Sequence, residues 1–158
     1  MRILRSLLIT LMVVSFSNAQ ESGDRSLPQE MGEGEIETGN ISEPNAGEIE
    51  RASSGDQRLL AALEAVTGGN DLWRAGDVEE SSLSYQRAIN LDPSLYSARF
   101  NLGLTLLHSK DYGRAVFAFT EALRLRPESV PAWQSLGFAH YYGKHYEKAV
   151  EAYRQAQR

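Results

Sequence analysis

The chain has 158 residues, no cysteine and a net charge of −5, so it holds at most one ordinary domain and must be stabilised by packing without disulfides. The acidic excess is local: residues 20–58 carry 10 acids against 3 bases, whereas residues 59–158 balance at 11 and 11. That balance leaves no basic stripe to neutralise phosphates, which excludes nucleic acid as a partner.

Residues 1–19 read as a signal peptide. Arg2 and Arg5 precede an apolar run from about Leu7 to Phe16, and the small residues Ser17 and Ala19 make Ala19/Gln20 a plausible cleavage point. The run is too short for a membrane-spanning helix, which needs about 20 apolar residues. The expected location is therefore exported, periplasmic or extracellular, with no membrane span after cleavage. Residues 20–55 follow as an acidic linker. Their glutamates are interspersed with glycine, serine and proline, and isolated apolar residues such as Met31, Ile36 and Ile41 cannot offset the entropy of ordering, so disorder is expected.

Order is expected from residue 56 onward. Asp56 is a candidate N-cap, and Leu59, Leu60, Leu63 and Val66 form an apolar stripe behind it. The pair Gly68-Gly69 predicts that this first helix is weak or bent, and that it starts as a separate short helix. Beyond it, one grammar repeats. Gly69, Gly103 and Gly137 stand 34 residues apart, as do Ala88, Ala122 and Ala156, the aromatics Tyr85, Phe119 and Tyr153, and the prolines Pro93 and Pro127.

Each unit reads as a helical hairpin. In the second, Phe100, Leu102, Leu104, Leu106 and Leu107 belong to one helical run, "HSKDY" interrupts it, and Ala115, Phe119, Ala122 and Leu123 recur at i, i+4, i+7 and i+8. Gly103 and Ala115 allow close approach of the two helices, and Phe119 fills the space between them. Pro127 biases Arg126 away from helical dihedrals and ends the second helix, as Pro93 does after Asp92. The third unit reaches Arg158 before its proline, and its last helix presents Val150, Tyr153 and Ala156 to no later hairpin, a face suited to self-association.

These residues resemble the tetratricopeptide repeat family, most clearly in "WQSLGFAHYYGKHYEKAVEAY", with Trp133, Leu136, Gly137, Ala149 and Tyr153. The units span 62–95, 96–129 and 130–158, within a repeat domain of 56–158. The resemblance implies an all-α fold: an α-solenoid of about three helix-turn-helix repeats in a right-handed superhelix, its concave wall built from the first helix of each unit. Groove positions carried over on that basis include Asn70 and Trp73 from the first unit, Phe100, Leu104 and Leu107 from the second, and Phe138, Tyr141 and Tyr142 from the third. Phe100, Leu104 and Leu107 also form a stripe at i, i+4 and i+7 independently of the family, a pattern that core packing explains equally well. Adjacent aromatics at Tyr141 and Tyr142 suit recognition of a peptide.

One subtype of the family holds the carboxylate tail of chaperones with two asparagines and three cations. Asn70 and Asn101 match the asparagines, but the cationic positions fall on Val66, Pro131 and Ser135, so a terminal carboxylate lacks compensation there. The resemblance thus implies a protein or peptide partner with an apolar or aromatic segment. Catalysis is not expected. His140 and His145 are five apart, unlike the i, i+4 spacing of a zinc helix, and no phosphate loop or nucleophile elbow stands out. No metal or cofactor is implied. The overall expectation is an exported adaptor or scaffold, with a self-associating structural module as the alternative.

Overall fold

The computed structural model describes residues 41–52 and 56–158, all within one unit spanning 37–158. The expected signal peptide, and the linker through residue 40 and at 53–55, lie outside the described residues. Six helices pair as three antiparallel hairpins: α2 (Gln57–Ala75) with α3 (Val78–Leu91), α4 (Tyr96–His108) with α5 (Tyr112–Leu125), and α6 (Val130–Tyr142) with α7 (Tyr146–Ala156). A further helix, α1 (Ala46–Ala52), precedes them. The hairpins stack in chain order, α3 on α4 and α5 on α6, while the first helices α2, α4 and α6 also touch in turn and form the inner layer. This is the expected α-solenoid. Among the described residues, no helix is long and apolar enough to cross a membrane.

Glycine and an aromatic ring close every hairpin. A Cβ placed on Gly69 would lie 2.6 Å from the Tyr85 ring, on Gly103 2.5 Å from Phe119, and on Gly137 2.6 Å from Tyr153. No real side chain tolerates such distances, so the 34-residue period of glycine and of aromatic is a single steric rule. Tyr153 therefore serves the interior of its own hairpin and also meets Phe138 edge-on at 5.8 Å. The expectation that Tyr153 belongs to a bare terminal face does not hold, because it fills the gap that Gly137 opens.

Local signals fix the ends. Asp56 accepts hydrogen bonds from the Arg58 and Leu59 amides, and Ser129 accepts from Ala132 ahead of Pro131 in the first turn of α6. Before Pro127, Arg126 sits at φ −140° and ψ 85°, outside the helical region as expected. Each hairpin turn uses the same pair of bonds. The amides of Gly76 and Asp77 reach Trp73 and Leu72 carbonyls, Lys110 and Asp111 reach Leu107 and Leu106, and Lys144 and His145 reach Tyr141 and His140. The turn places residue 76, 110 or 144 at φ +91°, +60° or +63° respectively. Only the first of these is glycine, and a side chain in this region costs about 1–2 kcal/mol. Lys110→Gly is expected to raise stability by about 0.5–1 kcal/mol, part of the gain being lost to the more flexible unfolded chain. Urea denaturation measures it.

Two expectations are corrected. First, α2 is one continuous helix of 19 residues through Gly68 and Gly69, and its start is not a separate short helix. Burial explains this: Leu59, Ala62, Val66, Gly69, Asn70 and Trp73 all face inward, and their packing outweighs the roughly 1 kcal/mol that each glycine costs a helix. Leu60, expected in that stripe, is exposed, and Leu63 is half-buried. Second, residues 41–52 are not a featureless linker. Asn45 and Glu48 form a capping box: the Asn45 side chain accepts from the Gly47 and Glu48 amides, and Glu48 Oε2 accepts from the Asn45 amide at 3.0 Å. The short helix is then held against the repeats.

Candidate functional site

The inner layer brings two asparagines from successive hairpins together. Asn70 on α2 and Asn101 on α4 are both fully buried. Asn101 Nδ2 donates to Asn70 Oδ1 at 2.9 Å, and the Tyr85 hydroxyl donates to the same oxygen at 2.9 Å. One amide oxygen thereby ties both helices of the first hairpin to the first helix of the second. Burial pushes the Tyr85 hydroxyl up to about 12. The folded state therefore keeps a proton that the unfolded chain releases near pH 10, so this contribution to stability is intact below pH 10 and is lost as pH rises toward 12. Denaturant midpoints at pH 9 and pH 11 are expected to differ less in Tyr85→Phe than in the parent chain. Tyr153, Tyr96 and Tyr141, also raised by burial, contribute to the part that remains.

The remaining capacity of these amides is directed at residues 41–48. The Ser42 amide donates to Asn101 Oδ1 at 2.7 Å, and Asn101 Nδ2 donates back to the Ser42 carbonyl at 2.8 Å. This two-way clamp reads only the backbone of a stretch without regular secondary structure. Asn70 Nδ2 donates to Glu43 Oε2 at 2.9 Å, and Arg74 pairs with the other carboxylate oxygen of Glu43. Further along, Glu48 is 4% exposed, and its carboxylate accepts from the Ser97 hydroxyl at 3.0 Å and from the Ser97 amide at 3.4 Å. Arg51 completes the seat on Asp92 and Ser94. Ile41 and Ser42 border a shallow cavity of about 340 Å³ whose other walls include Tyr96, Phe100, Arg126 and Pro131.

The expected groove residues separate into two groups. Asn70 and Asn101 hold the segment, and Phe100 walls the cavity beside it, stacked on Tyr96 at 5.6 Å and tilted against Phe119 at 5.8 Å. Trp73, Leu104 and Leu107 are buried, 2–3% exposed, with Trp73 edge-on to His108 at 5.3 Å. They act as packing beneath the site, the reading that an aliphatic stripe admits equally. Phe138, Tyr141 and Tyr142 lie elsewhere. Phe138 turns to Tyr153 in its own hairpin, Tyr141 meets Tyr146 at 5.6 Å, and Tyr142 stacks on Tyr112 of the preceding hairpin at 5.8 Å. The two tyrosines also meet each other edge-on at 5.5 Å, so with Tyr112 and Tyr146 they form one aromatic cluster.

Residues 42, 43 and 48 were not expected at this site, because composition assigned them to the linker. The signal that could have found them is Asn45-x-x-Glu48, a capping-box spacing in an otherwise featureless stretch. His140 and His145 meet edge-on with ring centroids 6.0 Å apart. Among the described residues no group of three or more side chains able to hold a metal comes together.

No curated protein sequence matches the chain. Solved structures that resemble it include the second such domain of Spaghetti, RPAP3, described as bound to the HSP90 peptide SRMEEVD. It is 20% identical, with a TM-score of 0.62, over 68% of this chain and 96% of that one. The Arabidopsis OM64 domain is 20% identical, with a TM-score of 0.61, over 63% and 82%. A chain of the CopN-Scc3 complex is 18% identical, with a TM-score of 0.59, over 94% and 85%. At these identities the likeness establishes the fold. Two family profiles, each described as tetratricopeptide repeat, match residues 66–130 and 130–158. With three hairpins closed by glycine on an aromatic ring at a 34-residue period, the chain belongs to the tetratricopeptide repeat family.

Proposed function

We propose that this protein is an exported adaptor whose inner groove holds a segment of another protein in extended conformation, as part of a larger assembly. The observation that carries this reading is the Asn101 clamp on Ser42. Its two hydrogen bonds, at 2.7 and 2.8 Å, are made to backbone atoms alone, so the position makes no demand on the side chain beyond excluding proline, which lacks the N–H, and suits a polypeptide ligand. The Spaghetti domain described as bound to a peptide, and the complex containing CopN and Scc3, support a protein ligand for this architecture. Export rests on the leader pattern of residues 1–19.

The test is a photoreactive residue at Glu128, an exposed position on the cavity rim, used in the compartment where the protein resides. One dominant crosslinked protein is expected, and its yield should fall about tenfold when Asn101→Ala is added, in line with the loss of two hydrogen bonds to a buried amide. Diffuse labelling, or a single product indifferent to Asn101→Ala, overturns the reading.

A further inference from the structure

We propose that residues 41–52 are a built-in occupant of the groove, and that the partner replacing them is an acidic segment, extended where Asn101 grips it and carrying a carboxylate at the next residue. The inference rests on the groove-binding reading above and gives it a ligand chemistry and a resting state.

The groups that the inner layer presents to Glu43 and Glu48 are donors, whereas Arg51 at the far end of the segment meets the acceptors Asp92 and Ser94. Asn70 and Arg74 converge on Glu43, and Ser97 gives both its hydroxyl and its amide to Glu48. Donors so placed favour carboxylates, because a hydrocarbon in the same position leaves them unpaired and an amide offers one acceptor oxygen instead of two and no charge to Arg74. This selection is local, since residues 59–158 carry no net charge. The carboxylates concerned are side chains within the segment, so the site requires no terminal carboxylate and none of the three cations absent at Val66, Pro131 and Ser135.

The occupant is tethered closely. Only Ser53, Ser54 and Gly55 separate Ala52 from the Asp56 cap of α2, and so short a tether gives an effective concentration in the millimolar range. A free segment of equal quality loses to it. The partner must either add contacts, for which the cavity beside Ile41 offers Tyr96, Phe100 and Pro131, or arrive when the tethered segment has been drawn away.

The experiment uses the full chain and a dye-labelled peptide of residues 40–52 as the probe, read by fluorescence anisotropy. The parent chain is compared with Glu43→Ala/Glu48→Ala, which weakens the internal occupant without touching the repeats. Apparent affinity falls by the fraction of chains that are open, so the doubly substituted chain is expected to bind the probe about tenfold tighter or more. Adding Asn101→Ala should abolish that gain, and a probe carrying Glu43→Lys should bind neither chain. Equal binding of the probe by the parent and substituted chains overturns the proposal. Hydrogen exchange on the unsubstituted chain reads the same closure without a variant: the Ser42 amide is expected to be protected, and exchange at the rate of a free peptide overturns it. Failure here with intact Glu128 crosslinking removes the internal occupant but leaves the adaptor; loss of crosslinking with the probe results as expected does the reverse.

Discussion

Gly68→Ala and Gly69→Ala are expected to shift stability in opposite directions although the residues are neighbours in one helix. At Gly68 an added Cβ meets nothing within 4 Å, so alanine brings its better helix propensity, a gain of about 0.5–1 kcal/mol. At Gly69 the same atom would lie 2.6 and 2.9 Å from two carbons of the Tyr85 ring. That ring is fully buried and fixed by its hydroxyl on Asn70, so it has little room to yield. The expected cost is about 1–3 kcal/mol, after the propensity gain is overcome. For a domain of this size each kcal/mol moves the melting temperature by roughly 4–8 °C, so thermal denaturation separates the two variants clearly. Gly103→Ala should behave like Gly69→Ala because its clash with Phe119, at 2.5 Å, is of the same kind. If Gly69→Ala were as stable as Gly68→Ala, the steric account of the 34-residue period would be wrong.

Asn70→Leu is expected to destabilise the fold by about 2–4 kcal/mol even though leucine has the same branched arrangement of side-chain heavy atoms. The substitution removes the acceptor shared by Tyr85 and Asn101 and leaves a buried hydroxyl and a buried amide N–H without that partner, each at about 1–3 kcal/mol. Tyr85→Phe removes one of those stranded donors, so the double substitution Asn70→Leu/Tyr85→Phe should cost less than the sum of the single ones. A double-mutant cycle by urea denaturation should give a coupling of about 0.5–3 kcal/mol. Strict additivity would show that the triad is not one network.

What the amino-acid order settled by itself was the closure and the ends of the repeated hairpins, which are governed by contacts between near neighbours in the chain. Gly103 and Phe119 lie 16 residues apart on two halves of one hairpin, Pro127 acts on Arg126 beside it, and Asp56 caps the turn that it precedes. Such signals are legible because each carries its own partner. The course of α2 through Gly68 and Gly69 was not legible, because propensity counts the cost of glycine and only the stacked fold supplies the buried face that outweighs it. Nor were the outer ring partners of the Tyr141–Tyr142 pair, which depend on where Tyr112 and Tyr146 come to rest.

The seat of residues 41–52 lies furthest beyond the sequence. Ser42 meets Asn101 at a sequence separation of 59 and Glu48 meets Ser97 at 49. By composition this stretch lacks the apolar area to order itself. The donors that order it are drawn from α2 and α4, and they converge only after the first two hairpins have stacked. A polar segment can be fixed by hydrogen bonds aimed at it from elsewhere, and those bonds exist only in three dimensions.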